Sequence, residues 1–444
     1  MSEENIPFGK LIDKVMSELV QGQCVSIIGL SNSGKSYVMR QLGSSAAEEA
    51  YQEGRNRPII MMYVDCNRAV AISAQAFYEI VLRSALERLS PSLSTEGYER
   101  LQTHHEEVTE AGSTFNASLA FNLALTELCE EADFDLCFLL DEFDELYAAL
   151  DERALLNLRA LQDRFPDQLL LVTATVRRLP QIRGTHFQDE FSEMFSPATF
   201  PLPLLTPAES TSMLDQCGVD VGSDARCELC ITLSGGHLGM LLAIAEVLAD
   251  HSSEADSDLR RLVTRSPQPR AESLKLWSQL TEDERAHLES LALEAEAGVP
   301  EHMMRHLSSL GILRDGGIFS PIFQQFVAAR TRSGQVEDEG VFVDMDSGDV
   351  WVDGVRIPVL TDLEFRLLKL LYERQDKITD KYRIVVTVWG EEYLGDVDDA
   401  RVEKLVSRLR SKIEPDPSEP RYLITQRGRG YKLLSVPKNL PDDR

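Results

Sequence analysis

Val25-Ser-Ile-Ile28-Gly29-Leu-Ser-Asn-Ser-Gly34-Lys35-Ser36, followed by Tyr37-Val-Met-Arg-Gln-Leu42, decides how the first half of this chain folds. The apolar run reads as a buried strand, the G-x-x-x-x-G-K-S spacing as a tight loop, and the last six residues as a helix. Glycines let the backbone turn so that its N–H groups converge on phosphate oxygens, and the helix N-terminus adds partial positive charge. Gly29, Ser33, Gly34, Lys35, Ser36 and Tyr37 are therefore candidate nucleotide contacts. Lys35 is placed to reach the β- and γ-phosphates and Ser36 to ligate Mg²⁺.

A second apolar run, Phe134-Asp-Leu-Cys-Phe-Leu-Leu140, ends in Asp141-Glu142. At the C-terminal end of a central strand, Asp141 would hold Mg²⁺ through water and Glu142 would orient the attacking water. Alone, Asp141, Glu142, Asp144 and Glu145 also suit a helix N-terminus; the upstream loop favours the nucleotide site. A third strand, Leu169-Leu-Leu-Val-Thr-Ala-Thr175, leads into Val176-Arg177-Arg178. Arg177 is the first candidate to sense a γ-phosphate and Thr175 the second; an exposed basic loop is the alternative.

The 444 residues are 43% hydrophobic and 27% charged, which excludes wholesale disorder. No apolar run approaches the ~18 residues of a membrane span. Met1-Ser-Glu-Glu lacks a signal-peptide pattern, and seven scattered cysteines are no disulfide framework. A cytoplasmic protein without a membrane partner is expected. The net charge of −28 is uneven: residues 341–444 hold 18 basic and 20 acidic residues, the first 340 hold 27 and 53, and residues 400–438 hold ten and four. An acidic body repels nucleic acid, but a local basic stretch still binds phosphate. Cys227-Glu-Leu-Cys230, near Cys217 and His237, reads as helical core rather than zinc site, and His104-His105 as surface.

Residues 8–248 resemble the AAA+/STAND class of P-loop ATPases. The loop, Tyr63-Val-Asp65, Leu140-Asp-Glu-Phe-Asp-Glu-Leu146, the third strand, Phe191-Ser-Glu-Met-Phe195 and Pro203-Leu-Leu-Thr206 carry the resemblance. It implies ATP/ADP with Mg²⁺, an ATPase core over 1–200 and a helical lid over 201–252. Thr206-Pro207-Ala-Glu209 is a capping box that opens the lid. Leu233-Ser-Gly-Gly-His237-Leu238 resembles a glycine-histidine-proline lid motif with leucine in the proline's place, leaving His237 either a nucleotide contact or a packing role.

Ser252 to Ser273 reads as a connector. A capping box at Thr281–Glu284, the apolar set Met303, Met304, Leu307 and Leu310, and a hairpin signal from Gly311 to Ser320 predict an acidic winged-helix coupling domain over 270–332. Beyond a linker, Thr361-Asp-Leu-Glu364 caps a helix. After a second, a third helix carries the stripe Val402, Leu405, Val406, Leu409 and Ile413, with Lys404, Ser407, Arg408 and Ser411 opposite, flanked by Arg401 and Lys412. A basic hairpin, Arg421 to Leu434, follows.

Residues 341–436 resemble the OmpR/PhoB-type winged helix-turn-helix, through Leu360-Thr-Asp-Leu-Glu-Phe365, Val388-Trp-Gly390, Arg408-Leu-Arg410 and Arg427-Gly-Arg-Gly-Tyr431. The resemblance implies double-stranded DNA as partner, with Arg408, Lys404 and Ser407 facing bases and Arg427 in the minor groove. It places Thr425 and Arg410 at phosphates, with Arg401, Lys412 and Arg429 beside them. The expected architecture is a multidomain α/β plus α+β chain: a P-loop parallel α/β sheet with helical lid, then two winged-helix domains. The expected function is a regulator in which nucleotide state controls the DNA reader. A homo-oligomer forming on ATP or DNA and a protein or small-molecule signal belong to that reading. A slow ATPase serving as a switch fits it. The rivals are a DNA-remodelling or loading ATPase and a STAND-type defence sensor.

Overall fold

All of Val25–Ile28 (β1) is buried, because a parallel sheet covered by helices on both faces leaves no strand residue for solvent. The computed structural model describes residues 6–184, 190–251, 256–293, 299–333, 340–343, 348, 350–353, 355–390, 399–426 and 428–434. The chain forms two units, 1–256 with 295–321 and 257–294 with 322–444.

In the first unit, β1 joins β2 (Ile59–Asp65), β3 (Asp135–Asp141), β4 (Leu169–Thr175) and β5 (Thr199–Pro201) in one sheet of order β2-β3-β4-β1-β5. The pairs are parallel. The register sets Ile28 level with Thr175 and Asp65 level with Asp141. The loop after β1, the acidic pair after β3 and the turn after β4 therefore emerge at one edge, outside the carboxyl ends of the strands where open α/β sheets bind ligands. At the opposite edge the buried Asp135 carboxylate accepts from the Tyr51 hydroxyl at 2.8 Å and pairs with Arg57 at 2.7 Å.

The segment expected to form the lid holds helices Pro207–Cys217, Asp224–Ser234 and Leu238–Asp250. The capping box forms, with Thr206 N–H to Glu209 at 2.8 Å. A hairpin of β6 (Leu313–Arg314) and β7 (Gly317–Ile318) lies against this lid: Arg314 donates to the Leu205 carbonyl at 2.9 Å and Ser320 to the Leu233 carbonyl at 2.7 Å. Gly235 and Gly236 have positive φ, and a Cβ would run into the Phe319 and Leu205 carbonyls respectively.

In the second unit, β8 (Val341–Val343), β9 (Val350–Val352) and β10 (Val355–Arg356) form an antiparallel sheet. Helices Asp362–Glu373, Lys381–Val388 and Asp399–Ile413 and the hairpin of β11 (Leu423–Gln426) and β12 (Gly430–Leu433) complete a winged helix around one core. Phe342 and Trp351 turn to another side, where they pack with Leu274.

The segment read as a connector over Ser252–Ser273 is mostly helical, with Asp256–Arg265 and Pro267–Ser278. Pro267 suits a first helical turn, and burial of Leu274, Leu276 and Trp277 stabilises a helix whose polar composition concealed it. The helix, helix and hairpin expected over 270–332 are present. Their packing is divided: 295–321 belongs to the first unit, 257–294 and the chain from 322 to the second.

Candidate nucleotide site and nucleic-acid interface

The loop after β1 closes on glycines for steric reasons. Gly34, at φ 117°, precedes helix Lys35–Leu42, and a Cβ there would stand 2.7 Å from the Phe8 ring. At Gly29 a Cβ would meet the Ser33 hydroxyl at 2.9 Å. Lys35 is 3% exposed, and its ammonium donates to the Gly29 carbonyl at 2.8 Å and the Leu30 carbonyl at 3.2 Å. The charge thus sits inside the loop, ahead of the helix N-terminus, with half-buried Ser36 beside it. This arrangement fits the phosphates of a nucleotide.

Asp141 is 1% exposed; its Oδ1 accepts the Glu142 N–H at 3.0 Å and its Oδ2 the Tyr63 hydroxyl at 2.7 Å. Burial, then the Asp141 charge, pushes the Tyr63 phenol up, so it remains a donor. Glu142 takes φ 51°, a left-handed conformation that costs a non-glycine residue about 1 kcal/mol or more and concentrates at functional sites. Asp144 accepts the Val176 N–H at 2.8 Å, joining the ends of β3 and β4. Its carboxyl is pushed up to about 6 by burial, with Glu142 adding, against the lowering pull of Lys35 and the Val176 N–H. Asp141 and Ser36 suit a hydrated Mg²⁺ completed by phosphate oxygens.

Thr175 is fully buried and donates to the Arg177 carbonyl at 2.7 Å, which spends its hydroxyl on the turn after β4. Arg177 is half-buried. Tyr37 donates to Gln216 at 3.1 Å, the Phe8 N–H to Glu209 at 3.0 Å and the Gly239 N–H to the Asn32 carbonyl at 2.8 Å, so lid helices are bonded to the loop and its helix. His237 Nδ1 accepts the Met240 N–H at 3.2 Å and its ring lies 5.6 Å from that of Phe319: a capping and packing geometry. Cys230 is fully buried and Cys227 half-buried on one helix, as core packing requires. Phe8, Asn32 and Gly239 carried no sequence signal; Tyr63 did, as the one hydroxyl in a strand that is apolar up to its terminal Asp65.

In the winged helix, Val402, Leu405, Val406, Leu409 and Ile413 are buried, and Arg401, Lys404, Ser407, Arg408 and Ser411 are exposed on one face. Thr425 and Arg429 are exposed in the wing; Arg427 lies outside the described residues. Arg410 and Lys412 have partners within the domain. Arg410 donates to the Leu423 carbonyl at 3.0 and 2.6 Å and to the Thr425 hydroxyl at 2.8 Å, and Lys412 bonds Glu364 at 2.7 Å. Sequence reasoning also missed Glu414, whose carboxylate accepts the N–H groups of Arg421, Tyr422 and Leu423 and so pins the start of the wing. Gly430 is required because a Cβ would strike the Thr379 carbonyl, where Tyr431 bridges Thr379.

Among the described residues no helix is long and apolar enough to cross a membrane. Residues 357–433 match the family described as "Transcriptional regulatory protein, C terminal". An uncharacterized transcriptional regulatory protein, YrkP of Bacillus subtilis, is 40% identical over 91 residues, 20% of this chain and 38% of that protein; the chain thus spans well under half of this relative. The DNA-binding domain of Klebsiella pneumoniae RstA, solved in complex with the RstA box, is 25% identical over 22% of this chain and 95% of that one, TM-score 0.20. The Aeropyrum pernix ORC2 protein, solved as ADPNP-ADP complexes, is 13% identical over 73% of this chain and 93% of that one, TM-score 0.45.

Proposed function

We propose that the chain is a DNA-binding transcriptional regulator whose first unit binds ATP or ADP with Mg²⁺, and whose nucleotide state governs the exposure or pairing of the C-terminal reader. The observation that carries the DNA half is the helix Asp399–Ile413, which exposes Arg401, Lys404, Ser407 and Arg408 opposite a buried stripe, in a chain otherwise strongly acidic. Arg408, Lys404 and Ser407 face bases, arginine being the best bidentate partner of guanine; Thr425, Arg427 and Arg429 reach the minor groove and backbone from the wing. Two readers on direct half-sites would multiply a modest single-site affinity.

The nucleotide half is supported by the phosphate cradle at Gly29–Ser36 and the carboxylates at the end of β3. Bound Mg²⁺ supplies charge neutralisation at the phosphates. Lys35 and the loop N–H groups bind them, Ser36 and Asp141 hold the metal and its waters, and Glu142 orients the attacking water. Lid bonds to Asn32, Tyr37 and Phe8 give a route by which a loop rearranged around phosphate moves the lid. Footprinting on the DNA upstream of its own gene, with and without ATP, tests this reading; protection independent of ATP would remove the switch and leave the reader.

A second reading is favoured by the Asp141–Glu142 pair, which is equipped for turnover: a DNA-loading ATPase in which the reader only delivers the motor. Steady ATP turnover stimulated by DNA would select it over the regulator.

A further inference from the structure

We propose that Tyr63 is a positioning residue of the nucleotide site, holding the Asp141 carboxylate in the orientation that receives the metal. This rests on the reading of Asp141 as the metal carboxylate. Apart from Tyr63 and the terminal Asp65, β2 is apolar, with Ile59, Ile60, Met61, Met62 and Val64 buried, and Tyr63 is half-buried near its C-terminal end. The register sets Tyr63 beside Leu139 and Asp65 beside Asp141. Side chains two apart on a strand share a face, so the phenol reaches diagonally across the strand pair to Asp141, one pleat ahead of its direct neighbour Leu139. The hydroxyl meets Oδ2 at 2.7 Å while the Glu142 N–H meets Oδ1 at 3.0 Å.

Each carboxylate oxygen therefore has one donor, and the group keeps about two of its four acceptor positions for a metal-bound water. Without Tyr63 the carboxylate would be tethered only through the backbone of its own neighbour and would rotate about χ2. Groups that orient a ligand in this way are worth about 10- to 100-fold in metal affinity. An aliphatic residue would fill the same space in this strand; a hydroxyl aimed at the one carboxylate expected to face Mg²⁺ is what packing does not require.

The test uses the full chain and a fluorescent ADP, titrated in EDTA and then with increasing Mg²⁺. Tyr63→Phe is expected to keep the affinity measured in EDTA and to raise the Mg²⁺ concentration giving half of the tightening by about tenfold. Tyr63→Met, which fills the space without a donor, must repeat the effect. In an Asp141→Asn background, Tyr63→Phe should change the Mg²⁺ dependence no further. The proposal is overturned by an unchanged Mg²⁺ dependence, by an equal loss in EDTA and Mg²⁺, which marks a merely structural role, or by effects that add to those of Asp141→Asn. Wild-type protein that binds the nucleotide without any Mg²⁺ response would sink the reading of Asp141 itself, and Tyr63 with it; that result is seen before any variant is made.

Discussion

The Arg410 guanidinium donates to the Thr425 hydroxyl at 2.8 Å and, through two nitrogens, to the Leu423 carbonyl, tying the third helix of the winged helix to the first strand of its wing. Two elements expected to enter different grooves are thereby fixed to one another. Arg410→Ala should lower stability by about 1–2 kcal/mol, since a partly buried carbonyl loses a charged donor. Its DNA affinity should fall more than the loss of one phosphate contact explains, with a salt slope changed by about one. Denaturant unfolding and a salt series on one site measure the two effects; lost affinity at unchanged stability would make Arg410 a phosphate contact alone.

Arg408 is exposed and sits on the face away from the core. Arg408→Ala should cost about 1–3 kcal/mol on a specific site and little on random DNA, because a bidentate base contact is lost while the phosphate contacts survive. Equal losses on both sequences would move base reading to Lys404 or Ser407.

Lys412 behaves differently, because its partner is buried. Glu364 is 4% exposed and also accepts the Thr361 N–H at 2.9 Å. Burial works to raise the Glu364 carboxyl, but the Lys412 hydrogen bond and the Thr361 donors outweigh it and hold it below its usual range. A lowered carboxyl contributes stability above its unfolded value, near pH 4.3, which is lost as pH falls through the folded value. Lys412→Met should therefore destabilise by about 1–3 kcal/mol at neutral pH, and the gap from wild type should shrink on acidification. Melting curves between pH 7 and pH 3 check this; a gap independent of pH would assign the loss to packing of the lysine stem.

These cases show what was legible in the sequence. The loop Gly29–Ser36 and the strand ending at Asp141 read correctly as local structure because a steric rule and an apolar run are contiguous in sequence. The stripe Val402 to Ile413 was legible for the same reason, since one helix carries its whole pattern. What escaped was set by contacts distant in sequence: Tyr63 with Asp141, Lys412 with Glu364, and Glu414 with the backbone of Tyr422. The helix Pro267–Ser278 escaped because its buried face includes Glu272, Ser273 and Lys275, which a polarity scan reads as solvent-facing.

Lys35→Ala should abolish nucleotide binding, since it removes a charge held inside the loop 2.8 Å from the Gly29 carbonyl. Glu142→Gln should keep binding and stall turnover, because Asp141 and Tyr63 are untouched while the attacking water loses its orienting carboxylate. Equilibrium binding of a fluorescent ATP analogue and single-turnover hydrolysis separate the two. Binding by Lys35→Ala as tight as wild type would overturn the site; undiminished cleavage by Glu142→Gln would pass its role to Asp144.

Asp144 gives the sharpest dependence on pH. Its carboxyl is pushed up to about 6, first by burial and then by Glu142, while Lys35 and the Val176 N–H pull the other way. A carboxyl raised on folding contributes stability that is complete below its unfolded value, near pH 3.9, and is lost as pH rises through about 6. Asparagine mimics the protonated acid and can still accept the Val176 N–H. Asp144→Asn should therefore match wild type near pH 4 and become more stable than it as pH rises, by roughly 1–3 kcal/mol above pH 7. Removing Lys35 strips the charge that eases ionisation of Asp144. In a Lys35→Ala background the gap should open at the same pH but keep growing to a higher pH and level off at a larger value. Thermal melts of the four proteins without nucleotide or metal, from pH 4 to pH 8, decide this. A gap already present at pH 4, or one that Lys35→Ala leaves no larger, would mean that Asp144 is not the titrating group and that burial at the end of β3 is relieved by another route.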